Sequence, residues 1–270
     1  MVARVLWGLR CRRSDRIGSA VARQPEASGA SCCFKPTMTT TVADIRRPLP
    51  SRVAVIGAAG GLGQGILRVC RTESIGFSAI VRSRPERITG VPAGSQVVVV
   101  ASLADQDALT EAFSGADAVL TALGLTPTSS DESALLSRNT ATVEASMASA
   151  GIERFIAVST LLAARPGQPA SAPMRFFSKI PGRWGRGALE QQAIVDAIGN
   201  GAFGALHWTL VRAGVNSRGS DERPVASADW DGALNSWMPV SYNAMARWML
   251  EEAAASAFVR QSPLVSRRRR

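Results

Sequence analysis

Residues 53–65 read VAVIGAAGGLGQG, a short apolar run that breaks into glycines before the apolar pattern resumes. Four β-branched or small apolar residues in succession predict a strand that is buried on both faces, and the residues after the glycines predict a helix. Gly57 suits a sharp turn, Gly60 lets the main chain approach a ligand, and Gly63 lets the helix lie close to the strand. The stretch therefore predicts a strand, a tight turn and a helix whose N-terminus can bind a phosphate.

These glycines have two other possible interpretations. Glycine-rich turns between a strand and a helix also occur where close packing is the only requirement. A P-loop for nucleoside triphosphates needs a Lys and a Ser or Thr after its last glycine, whereas Ile66 and Leu67 follow Gly65. Nucleoside triphosphate chemistry is therefore not expected.

Apolar runs and amphipathic segments alternate through the rest of the chain. The predicted strands are 77–81, 97–100, 118–122, 156–160 and 206–212, and the predicted helices are 62–72, 105–113, 133–149, 187–198 and about 240–254. Strands that alternate with helices predict an α/β fold of Rossmann type, with a doubly wound parallel sheet and helices on both faces. Met245, Trp248 and Met249 have the spacing of core residues on the last helix.

The net charge of +10 is concentrated at the two ends of the chain. Residues 1–50 contain nine Lys and Arg against three Asp and Glu, and residues 267–270 are four arginines. Residues 51–266 hold eighteen charged residues of each sign, so the excess of positive charge lies at the two ends of the chain. It therefore does not indicate a nucleic-acid site in the domain. We predict one NAD(P)-binding domain over 51–262 and a basic tail over 263–270.

The N-terminal segment, residues 1–50, is rich in Arg, Ser and Ala and has no sustained hydrophobic period, so disorder is expected. This composition fits an organelle transit peptide over residues 1–37, and it equally fits an extension that precedes a start at Met38. The expected location is cytoplasmic, or organellar if residues 1–37 are a transit peptide. No membrane span is expected.

Cysteine and histidine usage excludes several kinds of site. Cys11, Cys32 and Cys33 lie in the N-terminal segment, and Cys70 lies on the first helix. This spacing matches neither a disulfide framework nor a set of metal ligands. His207 is the one histidine, just before a predicted strand, so no metal site is predicted. A reducing compartment is the expectation.

The second predicted strand ends at Arg82-Ser83-Arg84. A dinucleotide fold that selects NAD places Asp or Glu here to bond the ribose hydroxyls. Arg82 and Arg84 would instead match a 2′-phosphate through paired hydrogen bonds, with Ser83 as a further donor, so NADP(H) is favoured over NAD(H). The alternative is a solvated basic loop.

Two loops on the expected ligand side interrupt the alternation, at about 161–187 and 214–238. The first mixes prolines and cations with Met174, Phe176, Phe177 and Trp184. Such a loop is either an active-site lid that admits a flat, anionic substrate or a plain surface flap.

Seven motifs together resemble the atypical short-chain dehydrogenase/reductase group, in its NmrA-like, NAD(P)H-binding branch that includes flavin and biliverdin reductases. They are GAAGGLG at 57–63, VRS at 81–83, SLAD at 102–105, AVLTALG at 118–124, Asn139, AGIERF at 150–155 and HWTLVRAG at 207–214. The resemblance spans about 52–262. It departs from the family at Ser102, where members often have Asp for the adenine amino group, and at Ala213, where they often have Pro.

The resemblance implies a set of cofactor-binding residues along this chain. Gly57, Gly60 and Leu62 resemble pyrophosphate contacts, and Leu123 and Gly124 resemble the wall along the adenosine and nicotinamide. Ser159 resembles the serine near the nicotinamide and is the one candidate for a catalytic group. The full predicted set is Gly57, Gly60, Gly61, Leu62, Gly63, Arg82, Ser83, Arg84, Ser102, Leu103, Leu123, Gly124 and Ser159.

The acid of most relatives is a Tyr four residues before a Lys, and this chain lacks that pair. Lys179 is preceded at that spacing by Arg175, and the single tyrosine, Tyr242, begins the last predicted helix without a lysine partner. The resemblance then implies an NADPH-dependent reductase of a flavin-, tetrapyrrole- or quinone-like acceptor that takes its proton from water.

Two other functions remain open. One is a non-catalytic NmrA-like redox sensor or assembly factor with a protein partner. The other is nucleic-acid binding through the arginine-rich ends, which is not expected. For the reductase, a small-molecule substrate is expected, and the protein is expected to be a monomer or a homodimer.

Overall fold

The computed structural model describes residues 48–123, 135–227, 234–235 and 238–268, with the backbone alone at 234–235. The strands are β1 (Arg52–Ile56), β2 (Gly76–Val81), β3 (Gln96–Val99), β4 (Ala118–Thr121), β5 (Arg154–Thr160), β6 (His207–Ala213), β7 (Val215–Asn216), β8 (Val225–Ser227), β9 (Leu234–Asn235), β10 (Val240–Ser241) and β11 (Leu264–Arg268). The helices are α1 (Gly61–Thr72), α2 (Gln106–Phe113), α3 (Thr140–Ser149), α4 (Ala172–Phe177), α5 (Arg183–Gly199) and α6 (Tyr242–Ala255). None of the described helices has both the length and the apolar character that a membrane span requires.

The main sheet has the order β3-β2-β1-β4-β5-β6-β11-β8. Neighbouring strands from β3 to β11 run parallel, and β8 runs antiparallel to β11. This confirms the predicted doubly wound α/β fold. The strand order reverses between β1 and β4, and ligands of such sheets bind at the carboxyl ends of the strands beside this reversal.

Helices cover both faces of the sheet, as the sequence predicts. Buried residues of α1 and α6 pack with one side of the central strands, and those of α2, α3 and α5 pack with the other. Val53, Ala54 and Val55 of β1 have no exposed surface, because this strand lies between two neighbours and beneath two helix layers. A continuous apolar run is the pattern expected of such a strand.

The predicted basic tail at 263–270 is wrong over Leu264–Arg268, which forms β11. Leu264 and Val265 are buried in the sheet, and β11 pairs with β6 and β8. The domain therefore continues beyond the predicted limit of residue 262. The short apolar run before the arginines forms a strand here because β6 has backbone N–H and C=O groups that need hydrogen-bond partners.

The predicted boundaries differ from the structure in two other places. The helix predicted at 133–149 is α3, which starts at Thr140 after a 3-10 turn at Leu136–Arg138. The irregular segment predicted at 161–187 contains α4 and the start of α5. Ser171 explains the start of α4, since its hydroxyl accepts a hydrogen bond of 3.3 Å from the backbone N–H of Met174. The N-terminal prediction falls on residues 1–47, which lie outside the described residues, as do parts of the 214–238 loop.

A buried ion pair joins β5 to α6 at the end of the sheet opposite the ligand side. Arg154 donates from Nη2 to Oε1 of Glu252 over 2.7 Å, and both side chains are almost fully buried. The same guanidinium donates to the backbone oxygen of His207, at the start of β6. Burial lowers the pKa of Arg154, while the charge of Glu252 opposes that shift. The pair fixes the amino ends of β5 and β6 against the last helix.

The contact between α1 and the turn that precedes it leaves no room for a side chain at Gly63. A Cβ on Gly63 would lie 2.5 Å from the backbone oxygen of Gly57 and 2.6 Å from Cα of Ala58. Both distances are shorter than van der Waals contact, and both partners are backbone atoms that cannot swing away.

Gly63→Ala should lower the free energy of unfolding by about 1–3 kcal/mol because the added methyl group forces helix and turn apart. Without this clash the same change would stabilise a helix interior by roughly 0.5–1 kcal/mol, so the sign of the effect is diagnostic. Chemical denaturation measures it, with Thr72→Ala at the exposed end of α1 as a control that should stay near the parent. A stabilised Gly63→Ala protein would contradict the close contact.

Candidate functional site

The turn after β1 adopts a conformation that requires glycine at Gly57. Its φ is +81°, and a Cβ there would also lie 3.0 Å from Cδ2 of Leu123. The N–H groups of Gly57 and Ala58 both donate to the backbone oxygen of Ile80, over 3.1 and 3.2 Å. These bonds hold the turn beside the carboxyl end of β2, which places the residues after β2 next to the start of α1.

The N-terminus of α1 has no side-chain cap, as in α3 and α5 and in contrast to α2, α4 and α6. Gly60 is the N-cap residue and has no side chain to accept from the first turn, which also contains no acid. In α2 and α6 the corresponding N–H groups donate to Asp105, over 3.1 Å, and to Ser241, over 3.0 Å. Uncapped N–H groups at a positive helix end provide a binding site for an anion such as a phosphate.

A cavity of about 280 Å³ lies at the carboxyl ends of β1 to β4. It adjoins the uncapped end of α1 through Gly60, and α5 forms the opposite wall. The lining residues are Ile56, Gly57, Ala59, Gly60, Ile80, Val81, Arg82, Ser83, Arg84, Arg87, Val100, Ala101, Leu103, Ala122, Leu123, Leu135, Glu190, Gln191 and Ile194. Its walls are largely apolar, which suits a flat ring system, and its charged groups are concentrated at one rim.

The rim after β2 is basic. Arg82, Arg84 and Arg87 all line the cavity and are all exposed, and no ion pair of these three guanidinium groups occurs in the part of the chain that the structure describes. Arg84 has a left-handed backbone, with a φ of +61°, and starts the 3-10 turn at Pro85–Arg87. That turn brings Arg87 to the cavity. The sequence analysis missed Arg87, although the run RSRPER at 82–87 carries the signal.

The wall formed by α5 contributes two polar side chains that the sequence analysis missed. The carboxylate of Glu190 accepts from Ser137, over 3.1 Å from the backbone N–H and also from the hydroxyl. Gln191 is 2% exposed, and its Oε1 is buried and has no hydrogen-bond partner among the described residues. A polar residue on the apolar face of a helix, between Ala188 and Ile194, was the available signal.

A buried, unpartnered amide on a cavity wall is unusual, because most buried polar atoms are hydrogen-bonded. Rotation of the amide exchanges its oxygen and nitrogen, so Gln191 can offer either an acceptor or a donor to a bound molecule. The polar atom, the uncapped helix and the basic rim together fit a ligand that has hydroxyl or amide groups between phosphates.

The remaining predicted residues divide into two groups. Leu103 and Leu123 line the cavity, together with the glycines at 57 and 60 and the residues at 82–84. Gly61, Leu62 and Gly63 form the first turn of α1 and are not among the lining residues, and Leu62 is largely buried in the core. Gly124 lies outside the described residues.

Ser102 and Ser159 do not line this cavity. The hydroxyl of Ser102 accepts a hydrogen bond of 3.0 Å from the backbone N–H of Ala104, in the turn before α2. Ser159, near the carboxyl end of β5, is 3% exposed, and its Oγ has no hydrogen-bond partner in the part of the chain that the structure describes. Their contacts with a cofactor stay predictions.

No tyrosine–lysine pair faces the cavity from α5, whose sequence RWGRGALEQQAIVDAIG contains neither residue type. Tyr242 lies instead against the first turn of α1, where a Cβ on Gly61 would be 2.6 Å from the tyrosine ring and 2.9 Å from its hydroxyl. The described residues contain no cluster of His, Cys, Asp and Glu able to hold a metal ion.

Comparison with known proteins agrees with a dinucleotide site. Residues 57–256 match the profile of the NAD(P)H-binding family. No curated protein matches the chain.

Solved structures with the same fold have low sequence identity to this chain. A short-chain dehydrogenase/reductase from Veillonella parvula in complex with NADP is 18% identical, with 81% of this chain and 95% of that chain covered and a TM-score of 0.55. A protein assigned as an NADH-flavin reductase, from Streptococcus pneumoniae, is 18% identical, with 80% and 99% covered and a TM-score of 0.59. A Rossmann-fold NAD(P)-binding family protein from Shigella flexneri is also 18% identical, with 80% and 93% covered and a TM-score of 0.56. These likenesses show a shared fold.

Gln191→Met should shift stability and ligand affinity in opposite directions. Removing an unsatisfied buried acceptor should raise the free energy of unfolding of the unliganded protein by about 1 kcal/mol, and losing a bond to the ligand should weaken dinucleotide binding by about tenfold. Thermal unfolding and calorimetric titration with NADP⁺ and NAD⁺ measure the two effects.

The adjacent Gln192→Met is the matched control, because Gln192 does not line the cavity. Its Nε2 donates to Asp196, and its Oε1, like that of Gln191, is buried and has no partner among the described residues. Dinucleotide affinity should be unchanged in this variant. If Gln191→Met also binds dinucleotide as the parent does, the amide has no role toward the ligand.

Proposed function

This chain belongs to the NAD(P)H-binding family, and we propose that it is an NADPH-dependent oxidoreductase that transfers a hydride to a conjugated small molecule of flavin-, tetrapyrrole- or quinone-like type. The observation that carries the cofactor assignment is the cluster of three arginines on the cavity rim after β2, none of which forms an ion pair with another described residue. A carboxylate in this region would bond the ribose of NAD, whereas guanidinium groups pair with a 2′-phosphate.

The residues present fit the different parts of NADP(H). Arg82 and Arg84 would hold the 2′-phosphate, the uncapped first turn of α1 would receive the pyrophosphate, and the amide of Gln191 would bond a hydroxyl or carboxamide group. NADPH supplies a hydride, with its electron pair, to an electron-poor acceptor. The chain itself binds and orients the two reactants and excludes water from the apolar part of the cavity.

The acceptor class is inferred from the side chains at the cavity. Reduction of an isolated carbonyl to an alcohol needs a positioned proton donor, and the described cavity lining contains no tyrosine, lysine or histidine. A conjugated acceptor delocalises the charge of the added hydride and takes its proton from water. The single acid on this wall, Glu190, is engaged by Ser137.

The same lack of a proton donor favours a second candidate, a dinucleotide-binding redox sensor that acts through a protein partner. Such a sensor needs selective binding and no turnover. Pull-downs in which the captured partner changes with the ratio of NADP⁺ to NADPH would distinguish it from a reductase.

Replacing both Arg82 and Arg84 with Ala should weaken NADP⁺ binding much more than NAD⁺ binding. Each charged hydrogen bond that is lost should cost about 1.5 kcal/mol, the lower end of the usual range, because both guanidinium groups are exposed. Titration with the two dinucleotides measures the difference. Arg68→Ala, an exposed arginine on α1 outside the cavity, is the control. Equal losses for NADP⁺ and NAD⁺ would sink the NADP assignment.

Stopped-flow absorbance should show oxidation of NADPH when a suitable acceptor is present. A panel of a free flavin, a linear tetrapyrrole, a quinone and a simple aldehyde separates conjugated acceptors from isolated carbonyls, and the aldehyde should not react. Tight NADPH binding with no turnover of any acceptor would favour the sensor over the reductase.

A further inference from the structure

The segment from α4 to the first turn of α5 exposes an unusual group of side chains. Phe176 and Trp184 are 67% and 54% exposed, and Phe177 is 39% exposed. Cations lie among them in sequence. We call this group the aromatic–basic surface; its members are Arg175, Phe176, Phe177, Lys179, Arg183 and Trp184. Scattered apolar side chains are ordinary on a protein surface, but three aromatic ones within nine residues call for an explanation.

The aromatic–basic surface rests on a firmly packed support. Met174 is 2% exposed and anchors α4, and the hydroxyl of Ser171 bonds to the backbone oxygen of Leu162 over 2.5 Å. The turn between the helices is pressed against α5, since a Cβ on Gly185 would lie 1.9 Å from the backbone oxygen of Ile180. The aromatic rings are therefore held at the surface by well-packed residues beneath them.

Charge on this segment has a single sign. Residues 161–189 contain five Lys and Arg and no Asp or Glu, although residues 51–266 as a whole are balanced. Within the described residues, Arg175, Lys179 and Arg183 make no ion pair. Arg183 lies over the ring of Trp184, 5.6 Å from its centroid, so cation and aromatic face the same region.

We propose that the aromatic–basic surface docks the protein on an anionic lipid bilayer. Aromatic rings bury their apolar bodies at the headgroup level, while Lys and Arg contact anionic lipids; a bilayer accepts protruding side chains without a matching shape. Unpaired positive charge complements the negative surface potential of such a membrane. An acidic protein would satisfy the cations but would leave the exposed rings without a hydrophobic partner.

The aromatic–basic surface extends onto the helix that also lines the cavity, since Arg183 and Trp184 begin α5. Leu189 on α5 is 56% exposed, whereas the adjacent Glu190 and Gln191 line the cavity. Docking through this segment would therefore bring the α5 side of the cavity close to the membrane. The docking proposal does not depend on the proposed reductase activity, because vesicle binding is measured without dinucleotide or acceptor.

Co-sedimentation of the full chain with vesicles tests the proposal. Vesicles of phosphatidylcholine and phosphatidylserine should bind the protein, and vesicles of phosphatidylcholine alone should bind it much more weakly. Arg175→Gln with Lys179→Gln should weaken binding about 25-fold, since each cation near such a surface contributes about fivefold. Phe176→Ser with Trp184→Ser should weaken it at least as much. Circular dichroism should show all variants folded, because the changed side chains are exposed.

Matched controls lie elsewhere on the domain. Arg68→Gln removes an exposed cation from α1, on the other face of the sheet, and Val99→Thr removes an exposed apolar group from β3, where Val99 is 56% exposed. Both should bind vesicles as the parent does. Brominated lipids should quench the fluorescence of the parent more than that of Trp184→Phe, which places Trp184 in the bilayer interface.

Three results would overturn the proposal. The first is equal vesicle binding by the parent and the surface variants, which would assign binding to the arginine-rich ends. The second is no preference for anionic vesicles. The third is vesicle binding too weak to detect together with surface-dependent binding of poly-glutamate, which would assign the surface to an acidic protein.

Discussion

The backbone contact that excludes a side chain at Gly63 sets the geometry of the whole ligand side. It holds the first turn of α1 against the turn after β1, so the uncapped helix end faces the crevice where the strand order reverses. The hydrogen bonds from Gly57 and Ala58 to Ile80 then place the carboxyl end of β2 beside the same helix end. The uncapped amides of α1 and the arginines after β2 are therefore neighbours.

Helix α5 has different roles on its two sides. Its inner side closes the cavity with a buried amide and a carboxylate that accepts from Ser137, and its outer side exposes Trp184 and Leu189. Charge is also distributed unevenly. Positive and negative residues balance over 51–266, but cations are concentrated on the cavity rim after β2 and in the segment after β5. Local arrangement, and not net charge, decides what each region can bind.

Much of the candidate site could be predicted because it belongs to local sequence. Arg82 follows β2 directly, and the end of a predicted strand shows where such a side chain must lie. Gln191 could not be assigned in this way. Its place in the cavity wall depends on which face of α5 meets the cavity, and its Oε1 is free to bond a ligand because no described residue across the cavity bonds to it. Ser102 was predicted from a motif position, but its hydroxyl bonds within its own turn.

The sequence by itself determined the α/β class, the glycine turn, the basic residues after β2 and the absence of a tyrosine–lysine pair. These features depend on the periodicity of apolar residues and on the conformational freedom of glycine, which act over a few neighbouring positions. Only the tertiary structure decided that Leu264–Arg268 completes the sheet, that Arg87 and Gln191 reach the cavity, and that three aromatic side chains after β5 stay exposed. Strand partners, cavity walls and burial arise from residues far apart in the chain, and no local pattern records which of them will meet.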